Sequence, residues 1–338
     1  MLHAAIVGYG NIGPTHAAGL KTAEFANLSV ICDIQADRAK IGAAEYGCRA
    51  VSDYDEVLKD GSVDVVHVCT PHYLHKDMAV KALSAGKHVV LEKPLSMNKA
   101  ELKELISAQE TFGKKVCVMF QNRKNNAVQV LKELTDSKKF GKLLAISGFM
   151  TWDRDEAYYA QDEWRGKWAT EGGGVLINQS VHLLDLMGYI GGKIEAVKAS
   201  ISTKRLAGVV EVEDTADALL FYENGMRGCF YASNAYATTT PFQLTAEFEL
   251  GRIRYSDNFL YEIKNGEAPR IVAGNDMNTP GKSCWGSGHA QVIDEFYKAL
   301  ENETDDFLAL STGVDTSNLL FSIYESAKDG GKQVKLTD

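Results

Sequence analysis

The first 122 residues alternate short apolar runs with segments of helical spacing. The apolar runs end near residues 7, 32, 69, 91 and 120, and a helix-like pattern of apolar positions follows each of them. Near-continuous Val, Ile and Leu strands separated by helices are typical of a parallel sheet that is covered on both faces. The pattern therefore predicts a doubly wound α/β domain over residues 1–122.

The pattern changes after residue 122. A strongly apolar stretch at 176–189 predicts a helix, whereas residues 195–263 mostly have the spacing of strands. Asn224-Gly225 between two apolar runs is a strong hairpin signal, and Gly251 marks a second turn of this kind. Helical spacing returns at 289–300 and 316–328. We therefore expect a second, α+β domain over residues 123–338, built mostly on antiparallel strands.

Composition excludes several classes of protein. The 338 residues contain 36 Lys and Arg and 45 Asp and Glu, and the net charge of −9 argues against a surface for nucleic acid or an anionic membrane. There is no signal-peptide pattern and no apolar run of membrane-spanning length. The six cysteines form no C-x-x-C pair, which favours free thiols in a reducing compartment. The cysteines are Cys32, Cys48, Cys69, Cys117, Cys229 and Cys284. We expect a soluble, cytoplasmic protein with neither nucleic acid nor membrane as a partner.

A G-x-G-x-x-G motif follows the first predicted strand and opens the first predicted helix. In this context Gly8 permits a tight turn, Gly10 lets a pyrophosphate approach the backbone, and Gly13 lets helix and strand pack closely. The helix N-terminus adds N–H donors and the positive end of a dipole. The motif predicts a dinucleotide site.

The acidic residue that ends the next strand indicates which dinucleotide. Asp33 can accept hydrogen bonds from both adenosine ribose hydroxyls and would repel a 2′-phosphate, and Ile34 after it offers no cation. The prediction is NAD rather than NADP. Arg38 weakens that preference if it reaches the cofactor, and otherwise it is a solvated helix residue.

Two further motifs carry candidate chemistry. Glu92-Lys93-Pro94 follows a predicted parallel strand, at the edge where such sheets place their sites. A lysine beside an oxidised, cationic nicotinamide would have its pKa lowered and could hold or relay a proton. The alternative for this motif is a strand end with solvated charges.

The second motif runs from Glu171 through three glycines to His182. On the predicted helix Asn178 and His182 are four residues apart and share a face. A lone histidine on an apolar helix is commonly a core residue, but the glycines and Asn178 favour a functional position. Asp185 could share that face, or it could form a structural salt bridge.

Five motifs together resemble the Gfo/Idh/MocA oxidoreductases, a family that includes glucose–fructose oxidoreductase and inositol dehydrogenase. They occur in the family's order and span essentially the whole chain: GYGNIG, CTP at 69–71, EKP at 92–94, WRGKW at 164–168, and EGGGVLINQSVHLLDL. The resemblance implies a Rossmann domain followed by an open, mostly antiparallel sheet. It also implies a homodimer or homotetramer formed through the outer face of that sheet.

The resemblance also implies roles for single residues. It maps catalysis onto Lys93 and His182, with Asn178 orienting the imidazole where inositol dehydrogenases carry an aspartate. The Asn-Gln form at 178–179 is similar to the branch acting on glycosides and nucleotide sugars. The implied cofactor contacts are Gly8, Gly10, Asn11, Ile12, Gly13, Asp33, Thr70, Pro71, His75, Glu92, Lys93, Gln121, Trp164 and Arg165.

Several other side chains are candidates for substrate contact. Trp152, Tyr158 and Tyr159 could stack on a sugar ring or pack between domains, and Tyr236 is a candidate of the same kind. The substrate contacts we predict are Lys93, Trp152, Tyr159, Asn178, His182 and Tyr236. Cys69, His72 and His75 have a spacing found in metal sites, but no second ligand cluster accompanies them, and we predict no metal.

The function that these residues favour is an NAD-dependent dehydrogenase. It would oxidise a secondary hydroxyl of a sugar, glycoside, nucleotide sugar or cyclitol, or reduce the ketone. The alternative is an NAD-dependent glycoside-cleaving enzyme that oxidises C3 transiently and eliminates the aglycone, with Tyr159 or Tyr236 as the extra base. A non-catalytic NAD-binding regulator would be expected to lack Lys93 or His182, and both are present.

Overall fold

The computed structural model describes residues 1–275 and 288–336, so Cys284 lies outside the described residues. These residues form two compact units. The first contains residues 1–121 and 288–314, and the second contains residues 122–275 and 315–336.

The first unit is built on a six-stranded sheet whose strands are all parallel. The strands are β1 (Leu2–Val7), β2 (Ala26–Cys32), β3 (Arg49–Val51), β4 (Val65–Val68), β5 (His88–Leu91) and β6 (Val116–Val118). Their order is β3-β2-β1-β4-β5-β6. Strands β2 and β3 lie on one side of β1 and strands β4 to β6 on the other, so the strand order switches between β1 and β4. The predicted doubly wound parallel sheet is confirmed, and the carboxyl ends of its strands share one edge.

Helices separate these strands. They are α1 (Gly13–Thr22), α2 (Ala36–Tyr46), α3 (Tyr54–Lys59), α4 (His75–Ser84) and α5 (Lys99–Phe112). The core of the unit consists of strand residues such as Ile6, Ile31 and Val90, which are fully buried. The patterns that predicted helices after strands 1, 2, 4 and 5 therefore correspond to real elements.

One segment lies in a different unit from the one that its place in the chain suggests. Our division at residue 122 puts the helix near residue 289 in the second domain, but α9 (Gly288–Glu301) belongs to the first unit. It packs so closely on α1 that a Cβ atom on Gly19 would lie 2.7 Å from Ile293. Leu308 after it accepts a hydrogen bond of 2.8 Å from the Val118 N–H. The apolar face of α9 indicates that this helix packs on another element, but the sequence does not identify that element.

The second unit is built on a nine-stranded sheet of order β14-β13-β12-β11-β7-β10-β9-β8-β15. Its strands are β7 (Leu143–Asp153), β8 (Ile194–Ser202), β9 (Thr215–Tyr222), β10 (Arg227–Ser233), β11 (Ala235–Phe248), β12 (Gly251–Ser256), β13 (Phe259–Ile263), β14 (Arg270–Gly274) and β15 (Val334–Lys335). The pair β7–β10 is parallel and the other pairs are antiparallel, which confirms the predicted architecture. Both predicted hairpins form, as β9–β10 at Gly225 and β11–β12 at Gly251.

The described part of the second unit contains fewer helices than the first unit. They are α6 (Asn126–Asp136), α7 (Glu156–Tyr159) and α8 (Val181–Gly191), and α10 (Leu310–Lys328) begins in the first unit and ends in the second. In the described parts of the chain, none of the helices combines the length and apolar character that crossing a bilayer requires. Phe149 and Leu219 remain exposed on the sheet. Association through this sheet and a cytoplasmic location stay predictions.

The helix that carries His182 begins later than its apolar pattern predicts. We expected it to start near residue 176, but α8 starts at Val181. The N–H of Ser180 bonds to the carbonyl of Val175, five residues back, so the preceding segment forms turns. Asn178 therefore lies on a turn before α8, and the prediction that it shares a helix face with His182 is wrong.

Candidate active site

The glycine loop in the first unit is shaped by close backbone approaches. A Cβ atom on Gly8 would lie 2.7 Å from the carbonyl oxygen of Cys69, and one on Gly13 would lie 2.8 Å from the carbonyl oxygen of Gly8. Gly8 also has a φ of +91°, which favours glycine. No atom lies within 4 Å of the corresponding position at Gly10. The loop is thus tightly packed against the sheet at Gly8 and open at Gly10, as a pyrophosphate would require.

Asp33 is held in a fixed orientation beside this loop. Its Oδ2 accepts the Tyr9 N–H at 2.7 Å, and its Oδ1 accepts the Gln35 N–H at 2.8 Å. A carboxylate has about four lone-pair sites, so each oxygen retains capacity for a further donor. Ile34 and Arg38 are exposed. The carboxylate is therefore positioned to accept hydroxyl groups.

Other predicted cofactor residues follow the carboxyl ends of neighbouring strands. Thr70 follows β4 and Gln121 follows β6, and the Thr70 hydroxyl and both polar side-chain atoms of Gln121 are buried with no hydrogen-bond partner among the described residues. Buried polar groups are normally bonded, so these groups have the character of ligand contacts. Together with the open space at Gly10 and the held carboxylate of Asp33, they fit the predicted dinucleotide.

His75 is occupied by the backbone. Its Nδ1 lies 2.7 Å from the Pro94 carbonyl oxygen, and its Nε2 lies 2.8 Å from the Thr70 carbonyl oxygen. Burial is the main cause that lowers the pKa of this imidazole. His75 thus ties the segment after β4 to the turn after β5, and direct contact with nicotinamide stays a prediction, as do the contacts of Asn11, Ile12 and Pro71.

Glu92 is enclosed by histidines that the motif did not reveal. Its Oε1 lies 3.0 Å from His16 Nε2 and 3.7 Å from His289 Nε2, and its Oε2 accepts the Lys93 N–H at 3.2 Å. Burial acts to raise the pKa of this carboxyl, but the two histidine rings outweigh it and hold the pKa well below its usual range. A charged carboxylate therefore lies under the backbone of Lys93, where a cofactor contact was predicted. The bond between Lys93 and Pro94 is cis.

The cluster around Glu92 extends further into the first unit. His16 Nδ1 lies 2.9 Å from His67 Nδ1, and His67 Nε2 lies 3.0 Å from the Tyr297 hydroxyl. Burial, followed by the neighbouring His16, lowers the pKa of His67 well below its usual range. The buried polar cluster runs from Tyr297 to the strand end that bears Lys93.

The triple-glycine loop in the second unit lies directly against the side chain of one buried residue and the backbone of another. A Cβ atom on Gly173 would lie 1.9 Å from the Tyr324 hydroxyl oxygen, and one on Gly174 would lie 1.9 Å from the Glu213 carbonyl oxygen. Only glycine therefore fits at either position. The loop leads into the turn with Asn178 and then into the first turn of α8 with His182.

The carboxylate of Glu171 orients Asn178. Its Oε1 accepts the Asn178 Nδ2 hydrogen at 2.5 Å, its Oε2 accepts the Gly166 N–H at 2.5 Å, and the residue is fully buried. The amide nitrogen of Asn178 is thus directed at Glu171, which fixes the orientation of the amide group. Sequence reasoning recognised Asn178 but not its partner, although Glu171 opens the same motif.

Glu213 holds the other end of the loop. Its Oε1 accepts the N–H groups of Gly174 and Leu176 and the hydroxyl of Tyr324, at 2.9, 3.0 and 2.9 Å. Its Oε2 is buried and has no hydrogen-bond partner in the described part of the chain. Burial raises the pKa of Glu213 to about 7, against the hydrogen bonds that act to lower it.

The raised pKa of Glu213 predicts a pH dependence of stability. The folded-state value of about 7 exceeds the ordinary 4.5, so its contribution is fully present below about pH 4.5 and is lost as pH rises through 7. We expect the free energy of unfolding to fall by roughly 3 kcal/mol over this range from this group alone. Glu213→Gln, which keeps the acceptor oxygen, should remove that fall in urea unfolding measured across pH.

A nearby glutamate provides the control for this measurement. Glu211 is exposed, and Glu211→Gln makes the same chemical change without the burial. It should leave the wild-type pH dependence in place. If Glu213→Gln and wild type showed the same slope between pH 4.5 and 8, a protonated Glu213 would be excluded.

A polar network links the turn at Asn178 to the aromatic segment. Gln179 Nε2 donates to the Tyr158 hydroxyl at 3.2 Å, and Asn234 Nδ2 lies 3.1 Å from both Gln179 Oε1 and the Tyr159 hydroxyl. Tyr159 is buried, as is Trp152, whereas Tyr236 is largely exposed, with its hydroxyl 3.5 Å from that of Tyr231. The structure therefore brings Tyr159 into the network with Gln179 but does not place Tyr236 there.

This network bears on the glycoside-cleaving alternative. Burial raises the pKa of Tyr159 well above its ordinary value of 10.0, which opposes its use as a base near neutral pH. Its hydroxyl already takes a hydrogen bond from Asn234. The extra base that an elimination needs is not favoured at this residue.

The remaining candidates have structural partners. Asp185 forms a two-point ion pair with Arg123, at 2.8 and 2.7 Å, and accepts the Thr316 hydroxyl at 2.8 Å, which confirms the salt-bridge interpretation. The guanidinium of Arg165 lies 4.6 Å from the Trp164 ring and binds Asp162 at 2.9 Å. A contact of either residue with the cofactor stays a prediction.

The spacing of Cys69, His72 and His75 does not produce a metal site in the described residues. Burial raises the pKa of the Cys69 thiol well above its usual range, which disfavours the thiolate that binds metals. Residues 1–275 and 288–336 contain no cluster of three or more His, Cys, Asp or Glu that could hold a metal ion.

Comparison with known proteins matches both halves of the chain to one family. The sequence model of the Gfo/Idh/MocA oxidoreductases, described as an NAD-binding Rossmann fold, matches residues 2–120, and that of the Gfo/Idh/MocA C-terminal domain matches residues 128–254. Together the two ranges make up more than half of the chain.

Individual relatives are similar over most of this chain. Levoglucosan dehydrogenase of Pseudarthrobacter phenanthrenivorans is 24% identical, with 88% of this chain and 87% of the relative covered. Myo-inositol 2-dehydrogenase of Thermotoga maritima is 30% identical over 66% of each. The WlbA dehydrogenase of Bordetella pertussis, solved with NADH and UDP-GlcNAcA, is 27% identical, with 100% of this chain and 99% of that chain covered and a TM-score of 0.85.

Proposed function

The chain belongs to the Gfo/Idh/MocA family of NAD-dependent oxidoreductases, and we propose on that premise that it is a dehydrogenase of a secondary hydroxyl group on a sugar, glycoside, nucleotide sugar or cyclitol. The observation that carries the proposal is the glycine loop with the held carboxylate of Asp33, in a chain that also has Lys93 and His182. The relatives named as dehydrogenases of levoglucosan and myo-inositol support this class of substrate.

The first unit supplies the residues that would hold the cofactor. Gly8, Gly10 and Gly13 would bind the pyrophosphate and Asp33 the adenosine ribose, with Gln121 as a further polar contact. Bound NAD supplies a hydride acceptor at C4 of its nicotinamide ring.

Three side chains, those of His182, Lys93 and Asn178, have assigned tasks in the proposed reaction. His182 takes the proton of the substrate hydroxyl as general base. Lys93 donates a hydrogen bond to the substrate oxygen, which lowers the pKa of the hydroxyl and stabilises the developing negative charge. Asn178, oriented by Glu171, positions a neighbouring hydroxyl or the imidazole. In the reverse direction the same residues return the proton to a ketone oxygen.

A screen for NADH formation tests this function directly. Purified protein with NAD is supplied with inositols, free hexoses, glycosides and nucleotide sugars, and absorbance at the NADH band is followed. We expect one of these classes to give sustained NADH production. Cleavage of a glycoside without net NADH would instead support the elimination enzyme, and bound NAD without turnover on any class would contradict the proposed dehydrogenase.

The cofactor preference is a separate prediction. We expect NAD to bind at least about tenfold more tightly than NADP. Hydrogen bonds to the charged carboxylate of Asp33 contribute about 1.5–3 kcal/mol, and the same carboxylate would repel a 2′-phosphate. Isothermal titration with both cofactors measures the difference. Asp33→Ser should narrow it, whereas Asp37→Ser, the same change at an exposed residue of α2, should not. Equal or tighter binding of NADP by the wild type would show that Asp33 does not select the cofactor.

A further inference from the structure

The guanidinium of Arg154 in the second unit is held between two aromatic rings. Its central carbon lies 4.7 Å from the ring centroid of Trp152 and 4.7 Å from that of Tyr158. Stacking on two rings fixes the plane of the guanidinium and leaves its N–H edges as the directions in which it can bind. The side chain is therefore a preorganised cation.

Most of the hydrogen-bonding capacity of Arg154 is not used by the described residues. Its Nη1 donates to the carbonyl oxygen of Asp153 at 3.0 Å, while its Nε is buried and has no partner among the described residues. The carboxylate of Asp153 binds Arg205 instead, at 2.8 Å. The edge of the guanidinium formed by Nε and Nη2 is the edge that matches the two oxygens of a carboxylate or phosphate.

A second unused donor belongs to the ring beneath it. The indole Nε1 of Trp152 is buried and has no hydrogen-bond partner in the described residues, and Trp152 itself is 9% exposed. A buried donor left without an acceptor destabilises the protein. Two such N–H groups on stacked neighbours, one of them cationic, are what a ligand with negatively charged oxygens would satisfy.

The same residues are connected to the turn that bears Asn178. The Tyr158 hydroxyl accepts a hydrogen bond from Gln179 at 3.2 Å, and the Arg154 backbone N–H donates to the Asn234 carbonyl oxygen at 3.1 Å. Asn234 in turn donates to Gln179 Oε1 at 3.1 Å. Arg154 is thus two contacts away from the residue that follows Asn178, within one polar network.

We infer that Arg154 and the Trp152 indole N–H form a subsite for an anionic oxygen group of the substrate, a carboxylate or a phosphate ester. The inference rests on the function proposed above and narrows its substrate to an acidic sugar derivative. The ring of Tyr158, which also lies 4.8 Å from Arg165, holds the cation in place. Of the two guanidinium groups over the Tyr158 ring, Arg165 is paired with Asp162, whereas Arg154 has no carboxylate partner among the described residues.

Matched series of sugars test this subsite. Each series contains a neutral hexose, its uronate and its 6-phosphate, and isothermal titration of the NADH-loaded protein gives the dissociation constants. In at least one series the anionic member should bind about ten- to hundredfold more tightly than the neutral one. Whether the uronate or the phosphate gains affinity tells the carboxylate from the phosphate. Neutral members binding as tightly as the anions in every series would overturn the inference.

Variants assign the preference to Arg154. Arg154→Met should bring the ratio of anionic to neutral affinity close to one, and Arg154→Lys, which keeps the charge but not the two-pronged edge, should retain part of it. Arg227 is the matched control, because its guanidinium also stacks on a ring, that of Phe221 at 4.4 Å, but is exposed. Arg227→Met should leave the ratio unchanged. An unchanged ratio in Arg154→Met would overturn the subsite.

The outcomes separate this inference from the proposed function. An anion preference that depends on Arg154, without NADH formation from any sugar, would retain the subsite and remove the dehydrogenase. NADH formation from neutral sugars, with no effect of Arg154→Met on the affinity ratio, would retain the dehydrogenase and reject the subsite.

Discussion

Replacing His182 by alanine is expected to lower kcat by about 10²–10⁴-fold, the usual contribution of a general base. NAD affinity should stay close to that of the wild type, because the glycine loop and Asp33, which are expected to hold the pyrophosphate and the adenosine ribose, belong to the first unit and His182 to the second. Lys93→Ala should likewise lose turnover, since the developing alkoxide then lacks its cationic donor. Steady-state kinetics on the substrate found in the screen, together with titration of NAD, separates the two effects.

Asn178→Ala provides a graded comparison. Losing one orienting hydrogen bond costs about 0.5–1.5 kcal/mol, so kcat should fall by about two- to tenfold, which is less than for His182→Ala. The structure adds that Glu171 then loses the donor on its Oε1, so the variant should also be less stable. Wild-type turnover by His182→Ala, or loss of its NAD binding, would show that His182 is not the base.

The cofactor half of the site could be predicted because its signals are local. Gly8 to Gly13 and Asp33 lie within one strand–turn–helix–strand unit, and the backbone geometry that needs them is set within a few residues. The structure accordingly places Asp33 on the Tyr9 N–H beside the loop. The place of Lys93 just after a parallel strand could be predicted for a similar reason, and its role in the reaction stays a prediction.

The supporting residues could not be predicted, because they are distant in sequence and individually ordinary. His16, His67 and Tyr297 lie on three different elements, and each is a single polar residue in an apolar pattern. Glu171 and Glu213 are acidic residues that composition would place on the surface, yet both are buried around the glycine loop. Tertiary contacts also changed local structure, because the apolar spacing before Val181 favours a helix but the segment forms turns.

His16→Leu is expected to destabilise the protein by about 3–5 kcal/mol, because removing one partner of a buried pair leaves a buried carboxylate without its compensation. Glu92 Oε1 would lose its donor at 3.0 Å, and His289 at 3.7 Å is beyond hydrogen-bond length from that oxygen. His289→Leu is therefore the matched control and should cost less. Urea unfolding of the two variants and the wild type measures the difference.

The pH dependence distinguishes loss of the buried contact with the Glu92 carboxylate from loss of packing. The folded-state pKa of Glu92 lies well below the ordinary 4.5, so its contribution is present above that value and is lost as pH falls through the folded-state pKa. The deficit of His16→Leu should therefore be largest near pH 7 and shrink in acid, whereas a packing defect would not change with pH. Adding Glu92→Leu to His16→Leu removes the buried charge and should recover part of the stability at pH 7. The stability deficit of His16→Leu could instead be equal at pH 7 and in acid and not be relieved in the double variant. That result would mean that His16 acts by packing alone.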